Sequence, residues 1–298
     1  MPLSRVALIR GQDRYDNVAR ALQAIDDQID LAGKQRIVVK PNFVTTQREL
    51  AATHVDAVRA VLDHLRRRGV TQQITLAEGP AIGSAQEGFR NYGYEPLIRE
   101  YGLRVVDINQ DETEPVQVWN TRLRPHTVRV SRTVLESDFR ISIGPPKTHD
   151  TVIVTLSLKN YVVGSLVGKR AVHQGCAGIN LNLYKLAYHV APHLSVIDGF
   201  VGMEGHGPTR GEPVDWRIAV ASTDFLAADC LTARLMGFDP HEVGYLHYCL
   251  VKGLGHGEPE EIEVVGNVSL EGAYHSFRPH PTTEEQKSWR VEGVERYL

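Results

Sequence analysis

The chain has 298 residues, of which 42% are hydrophobic and 23% charged, a composition typical of a soluble globular protein with a sizeable core. Its formal net charge of −3 gives no electrostatic reason to bind nucleic acid or an anionic membrane surface. This length allows one large domain over residues 1–298, or two lobes over residues 1–137 and 138–298.

Strands and helices alternate through the first third of the chain. The helical segments place apolar residues at helical spacing and end at glycines, and the strands are short apolar runs. We predict strands over 5–11, 36–42, 74–80 and 103–109, and helices over 13–33, 54–69 and 84–102, the last interrupted at Gly93.

Residues 110–137 differ in character, because two segments within them alternate apolar and polar residues. That pattern predicts an antiparallel pair of strands exposed on one face. The central sheet resumes over 139–150. Strand and helix compete over 151–168, where we favour a buried helix that begins near Val154, and a Gly-rich loop covers 164–178.

The last third alternates again and completes an α/β pattern. Alternation with short links predicts a mainly parallel sheet with helices on both faces, plus a small antiparallel excursion near 110–137. We predict helices over 179–192, 223–238 and 240–255, strands over 194–200, 217–224 and 262–267, a Gly-rich loop over 201–213, and a surface tail of about 30 residues.

Five of the predicted strands end in polar residues beside glycine or proline. In open α/β sheets, ligands bind outside the carboxyl ends of the strands, so we expect these side chains to share one cleft. The strand-end candidates are Lys40, Asn42, Glu78, Lys147, His149, Asp198 and Asp224.

Lys147 and His149 stand two residues apart, directly after two prolines. Side chains at i and i+2 of an extended segment point to the same side, which places an ammonium and an imidazole together at a strand end. A lysine near other cations or in a dry pocket becomes less basic and can act as a base or nucleophile. The alternative is a surface lysine beside a hydrogen-bonded histidine.

Lys159 and Asn160 interrupt a long apolar stretch. A buried lysine is costly unless it pairs, reaches solvent or lines a cavity, so we interpret both residues as ligand contacts. With lysines at other strand ends they would form a cationic pocket, although a solvated loop is an equal interpretation for Lys169. We assign substrate binding to Lys40, Asn42, Lys159, Asn160, Lys169, His173, Glu204 and His206.

Carboxylates supply the remaining chemistry of the predicted cleft. Glu78 and Asp198 end two strands, and we assign them to catalysis with Lys147 and His149. They and Glu204 are candidates for a general base or for ligands of a divalent metal. Asp198 precedes a glycine, so an ordinary turn is the alternative. The loop that carries Glu204 suits either a mobile lid or a plain connection.

The three cysteines indicate what the chain does not bind. Cys176, Cys230 and Cys249 are far apart and form no Cys-x-x-Cys pair, so no iron–sulphur cluster is expected. Binding of a divalent metal and formation of a homodimer are both compatible with the sequence. The N-terminus lacks an apolar run of signal-peptide length and no stretch of eighteen apolar residues occurs, so we expect a cytoplasmic protein without membrane contact.

Several motifs together carry a family resemblance. KPNFV, AEGP, IGPPKTHDTVIVTLSLKN, VIDGFVGMEGHGPTRGEP and STDFLAADCLTARLMGF, in this order over most of residues 36–265, resemble the domain of unknown function 362 family. The resemblance implies little mechanism. It does imply that some relatives carry ferredoxin-like cysteine motifs for iron–sulphur clusters, and this chain lacks those cysteines.

The residues and the resemblance lead to two hypotheses. The first is an enzyme with a small or medium anionic substrate, acting by Lys/His/carboxylate general acid–base chemistry as an isomerase, lyase or hydrolase, with or without metal assistance. The second is a non-catalytic redox accessory protein that docks an iron–sulphur partner.

Overall fold

The computed structural model describes residues 3–298, and a ten-stranded β-sheet forms its centre. The strands of the chain are β1 (Ser4–Arg10), β2 (Ile37–Lys40), β3 (Thr75–Glu78), β4 (Arg104–Asp107), β5 (Thr113–Trp119), β6 (Pro125–Ser131), β7 (Phe139–Gly144), β8 (Lys147–His149), β9 (Ile153–Thr155), β10 (Leu166–Val167), β11 (Leu194–Glu204), β12 (Glu212–Ser222) and β13 (Ile262–Gly266).

Helices cover both faces of this sheet. They are α1 (Arg14–Ala24), α2 (Val55–Arg67), α3 (Ala85–Asn91), α4 (Glu95–Tyr101), α5 (Arg132–Leu135), α6 (Ser157–Gly164), α7 (Gly175–Val190), α8 (Phe225–Leu235), α9 (Gly244–Val251), α10 (Leu270–Ala273) and α11 (Thr283–Gln286). The predicted interruption at Gly93 separates α3 from α4.

The main path of the sheet runs β13-β1-β12-β11-β7-β2-β3-β4. All neighbours on this path are parallel except β12, which is antiparallel to both β1 and β11. β8 joins β11 beyond β7, and β9 joins β8. A separate antiparallel sheet, β10-β6-β5, contains the excursion near 110–137. The predicted α/β fold class is therefore confirmed.

Two hydrophobic clusters lie on opposite faces of the sheet because successive strand residues alternate in direction. In β2, Val39 packs with Val18 of α1 and Val58 of α2, whereas Val38 belongs to the cluster that contains Leu158 of α6 and Leu183 of α7. The strand β7 lies between β2 and β11, so one sheet continues through the proposed lobe boundary at residue 137.

Several predicted element bounds are wrong, mostly where a distant residue decides the local structure. The buried helix predicted from Val154 begins at Ser157, because Asp229 accepts hydrogen bonds from the backbone N–H groups of Ser157 and Leu158. Residues before it form β9 instead. The helix predicted over 13–33 ends at Ala24 and is followed by a single turn of 3₁₀ helix.

The predicted loops and tail are also more ordered than the sequence indicates. β11 and β12 extend into the Gly-rich segment 201–213 and leave only residues 205–211 as the turn between them. The segment 164–178 contains β10 and the start of α7. The C-terminal tail is not a surface segment, since Phe277, Gln286 and Trp289 are buried.

Candidate functional site

A cavity of about 280 Å³ lies beyond the carboxyl ends of β2 and β3, with α6 forming one of its walls. This is the position where ligands bind in open α/β sheets. Its lining residues are Lys40, Asn42, Phe43, Val44, Glu78, Gly79, Ala81, His149, Asp150, Thr151, Lys159, Asn160, Val163, Gly164, Lys169, His173 and Pro208. We call this space the inner cavity.

Helix α6 presents two pairs of residues, each four apart, to the inner cavity. Residues at this spacing lie on the same side of a helix. Asn160 accepts a hydrogen bond from Lys40 Nζ at 3.0 Å. The side chain of the same lysine lies directly against Gly164. A Cβ atom at Gly164 would lie 1.8 Å from Lys40 Cε, so a larger residue here would displace the lysine from its present position.

Lys40 is fully buried, and its ammonium is completely hydrogen-bonded. Its Nζ donates to Glu78 Oε2 at 2.5 Å and to the carbonyl of Pro41 at 2.7 Å, in addition to Asn160. Glu78 in turn accepts from the backbone N–H of Phe43 at 3.2 Å. The two strand ends are thereby joined by a buried ion pair at the base of the cavity.

Lys147 does not line the inner cavity but contacts Asn42, which does. It is fully buried and donates to Asn42 Oδ1 and, at 3.0 Å, to the carbonyl of Ala51. Burial holds the pKa of Lys147 well below its usual value, with Lys159 adding to the effect. Asn42 connects Lys147 to Asn160, because Asn42 Nδ2 donates to Asn160 Oδ1 at 2.9 Å. Lys147 thus fixes the amides that line the wall.

His149 lines the cavity from the hairpin of β8 and β9. Burial lowers the pKa of His149 to about 3, so the ring is neutral at physiological pH. Its Nδ1 is 3.0 Å from both the backbone N of Thr151 and Oδ1 of Asp150. Because Nδ1 accepts the Thr151 N–H, we assign the ring proton to Nε2, and the short distance to Asp150 is then a contact without a shared proton.

Lys159 differs from the other buried lysines. It is 8% exposed, and within residues 3–298 no hydrogen bond or ion pair involves its Nζ. Burial lowers the pKa of Lys159 to about 8; Asp150 opposes this shift, while Lys40 and Lys169 add to it. At neutral pH the cavity therefore contains an ammonium that the described residues leave unpartnered.

Lys169 and His173 complete the cationic side of the cavity. Lys169 Nζ donates to Asn109 Oδ1 at 2.9 Å and to the carbonyl of Leu166 at 3.0 Å, and burial lowers its pKa to about 8. His173 is more exposed, and its Nδ1 lies 2.8 Å from the carbonyl oxygen of Lys169. Burial and the nearby Lys159 lower the pKa of His173.

Besides Lys147, four residues expected in the cleft lie outside the inner cavity, and one of them, Asp224, caps α8 by accepting from the backbone N–H groups of Leu226 and Ala227. Asp198 is buried on the face of β11 that packs against α1, where Arg14 Nε contacts it at 3.1 Å. Glu204 belongs to β11 and accepts from the backbone N–H of Arg278 at 2.9 Å. His206 lies in the turn, with its ring 5.5 Å from that of His280. The strand-end rule fails here because β11 continues past Asp198 for six residues.

Some cavity residues were not identified from the sequence. Asp150 directly follows His149 at the end of the strand predicted over 139–150, so the strand-end argument applies to it as well. Pro208 reaches the cavity because its turn packs on β8, where Thr148 Oγ1 donates to the carbonyl of Gly205 at 3.0 Å. Asn109 accepts a hydrogen bond from Lys169 and is the last residue of the strand predicted over 103–109, so the strand-end rule could have included it.

The carboxylates proposed as metal ligands do not assemble. Glu78, Asp198 and Glu204 are paired with three different cations: Lys40, Arg14 and Arg278. No group of three or more His, Cys, Asp or Glu residues suited to a metal ion occurs in the part of the chain that the structure describes.

The fold and cavity define an α/β protein with a cationic strand-end cleft, and comparison with known proteins places it in a family. The chain belongs to the family described as Domain of unknown function (DUF362), whose model matches residues 37–234. The resemblance inferred from the motifs is therefore confirmed. The matched segment contains all lining residues of the inner cavity.

Two known proteins are similar to this chain. A thylakoid-associated protein of Synechocystis sp. is 28% identical over 213 residues, which cover 69% of this chain and 64% of that protein, so the chain spans less than two thirds of its length. The structure of the lactate racemase apoprotein from Thermoanaerobacterium thermosaccharolyticum superimposes with a TM-score of 0.52 at 14% identity, over 77% of this chain and 56% of that one. This second likeness shows a shared fold.

The helices also bear on membrane contact. None of those in residues 3–298 has the length and apolar character needed to traverse a bilayer.

Proposed function

We propose that the inner cavity binds a small anionic substrate and that the chain is an enzyme that transfers a proton on it. The unpartnered ammonium of Lys159 carries this proposal. Lys159 lines the cavity, its side chain is mostly buried, and its charge is only partly hydrated there, so a bound ligand could supply the counter-charge. A carboxylate or phosphate oxygen beside Lys159 and Lys169 would supply it.

The same side chains support general acid–base chemistry. A catalytic group works best when its pKa lies near the operating pH, and the pKa of Lys159 is about 8. His149 stays neutral and presents Nε2–H as a hydrogen-bond donor, while Asn42 and Asn160 orient the substrate. Isomerases, lyases and hydrolases all use such a proton transfer, and our proposal extends to that group of reactions.

Binding of simple anions to the purified protein tests the proposal. We expect isothermal titration calorimetry with acetate, lactate and phosphate to show saturable binding for at least one of them. Lactate is included because the structural neighbour is named as a lactate racemase. Lys159→Met should weaken that binding at least tenfold, by removal of a charge-assisted hydrogen bond in a partly dry site.

Lys252→Met is the matched control, since Lys252 is exposed at the end of α9 and lies outside the cavity. It should bind the anion as the unaltered chain does. Equal affinities of the Lys159→Met and Lys252→Met proteins, or no binding of any of the three anions, would contradict an anion site and leave the docking hypothesis standing.

A further inference from the structure

A second cavity adjoins the inner cavity and opens outward from it. It has a volume of about 580 Å³ and shares Ala81, Lys169 and His173 with the inner cavity. We call it the outer groove. Its lining residues are Pro80, Ala81, Ile82, Gly83, Asn109, Gly168, Lys169, Arg170 and His173.

One wall of the outer groove is held in place by backbone contacts. The N–H groups of Ala81 and Ile82 both donate to the carbonyl of Val44, at 3.1 and 3.2 Å. Asn109 Nδ2 donates to the carbonyl of Pro80 at 2.9 Å, while Asn109 Oδ1 holds Lys169. The apolar wall and the cation at the junction of the two cavities are therefore fixed by the same asparagine.

The outer groove carries an apolar surface that the fold itself does not cover. Ile82 is 61% exposed although its backbone is pinned, and it adjoins Pro80 and Ala81. A single exposed aliphatic residue is ordinary on a protein surface. Ile82 differs from that case because it forms an apolar strip with Pro80 and Ala81, and this strip begins at the edge of the inner cavity.

The volumes also favour a ligand that occupies both spaces. Small-molecule sites usually measure roughly 300–1,000 Å³. The inner cavity, at about 280 Å³, is slightly smaller than that range, and the two spaces together fall within it. A small acid would leave the outer groove unused.

We propose that the substrate is an amphiphilic anion, with its carboxylate or other anionic head beside Lys159 and Lys169 and an apolar chain along Pro80, Ala81 and Ile82. This inference rests on the proposed function, because the inner cavity must first bind an anion. It adds the substrate class, an acid that carries an alkyl or similar apolar chain.

A series of straight-chain carboxylates tests the inference on the full chain. Titration calorimetry with acetate, butanoate, hexanoate and octanoate should give affinities that rise by about two- to fourfold for each added methylene, the gain expected for partial to full burial of that group. Octan-1-ol, which has the chain without the charge, should bind at least tenfold more weakly than octanoate.

Ile82→Asn should remove most of this dependence on chain length while acetate binding stays unchanged. Ile82→Ala is a milder second variant in case the first one folds poorly. Val251→Asn is the matched control, since Val251 is 60% exposed and lies on α9, away from both cavities. It should retain the full chain-length dependence.

The outcomes separate this inference from the proposed function. If acetate and octanoate bind equally well, the amphiphilic class is overturned and the anion site stands. If no carboxylate binds, the inference fails, and the proposed function fails with it only if phosphate does not bind either. If octanoate binding is unaffected by both Ile82→Asn and Lys159→Met, the fatty acid binds at another site, such as the apolar cavity beside Leu231, Leu270 and Tyr274. This result would also overturn the inference.

Discussion

At the scale of single residues, three buried lysines near one cleft are accommodated in different ways. Lys40 pairs with Glu78, and Lys147 donates to an amide and a carbonyl oxygen. Lys159 has no such partner among the described residues. The sequence identified Lys159 because its flanking residues are apolar, but it could not show which lysine lacks a partner, since Glu78 and Asn42 are brought to the others by tertiary structure.

The first prediction is that Lys159→Met stabilises the protein at neutral pH. The pKa of Lys159 is about 8 in the folded chain against an ordinary 10.5, so the unfolded chain binds more protons between these values and stability rises with pH there. Below pH 8, Lys159 is charged in both states and the full free-energy cost of burying its charge reduces stability. Urea unfolding at pH 7 should show a gain of about 1–3 kcal/mol, which disappears near pH 10.5.

The exposed control Lys252→Met should leave the free energy of unfolding within about 0.5 kcal/mol at both pH values. A loss of stability in Lys159→Met that is the same at pH 7 and pH 10.5 would mean that the lysine stem contributes packing and that its charge is not penalised.

The second prediction concerns the pH dependence of anion binding. Lys159 and Lys169 both lose their charge as pH rises through about 8, so the affinity for a bound carboxylate should decline above that value, by up to about tenfold per pH unit for each ammonium that contacts the anion. Titrations from pH 6.5 to 9.5 measure this. An affinity that is constant across the range would show that neither ammonium contacts the anion.

At the scale of elements, helix α6 is the platform of the inner cavity, and its position depends on a residue far away in the chain. The apolar run around LSLKN predicted a buried helix, yet its start was predicted three residues too early. Asp229 of α8, which is fully buried, accepts from Ser157 N at 2.8 Å and Leu158 N at 2.9 Å. A cap supplied from 72 residues away leaves no local pattern in the sequence.

The third prediction is that Asp229→Ala destabilises the protein by about 2–4 kcal/mol and weakens anion binding. The change removes a helix cap and leaves two buried N–H groups without an acceptor. Asp239→Ala is the control, because Asp239 is exposed and its carboxylate accepts from His241 N at 2.9 Å and from no other group in residues 3–298. Its cost should stay below about 1 kcal/mol in the same urea experiment. Similar losses in the two variants would contradict a special role for the α6 cap.

At the scale of the whole molecule, the C-terminal segment is part of the structure around the cavity. Gln286 Nε2 donates to the carbonyl of His149 at 2.8 Å, and its Oε1 accepts from Ile153 N. Phe277 packs on Trp216 and Trp289 on Tyr248, with ring centroids 4.9 and 5.3 Å apart. The sequence suggested a surface tail because its few apolar residues are isolated and follow no helical or strand period.

The fourth prediction is that Gln286→Ala destabilises the protein by about 2–3 kcal/mol and loosens the β8–β9 hairpin. Two buried backbone groups lose their partner. Hydrogen exchange should show faster exchange at Ile153 N and its neighbours. Gln73→Ala, which removes an exposed contact to the carbonyl of Gly102 at 3.1 Å, should change stability by less than about 0.5 kcal/mol. Unchanged exchange at Ile153 would show that the hairpin is held without Gln286.

The contact between Gln286 and the His149 hairpin also bears on the order of events during synthesis. Lysines and amides of the inner cavity lie between residues 40 and 169, and they leave the ribosome long before residue 286 does. Until that glutamine emerges, the carbonyl of His149 and the N–H of Ile153 have no partner from it. A nascent chain can therefore bring the lysines and amides of the inner cavity together before Gln286 is available to hold the hairpin of β8 and β9.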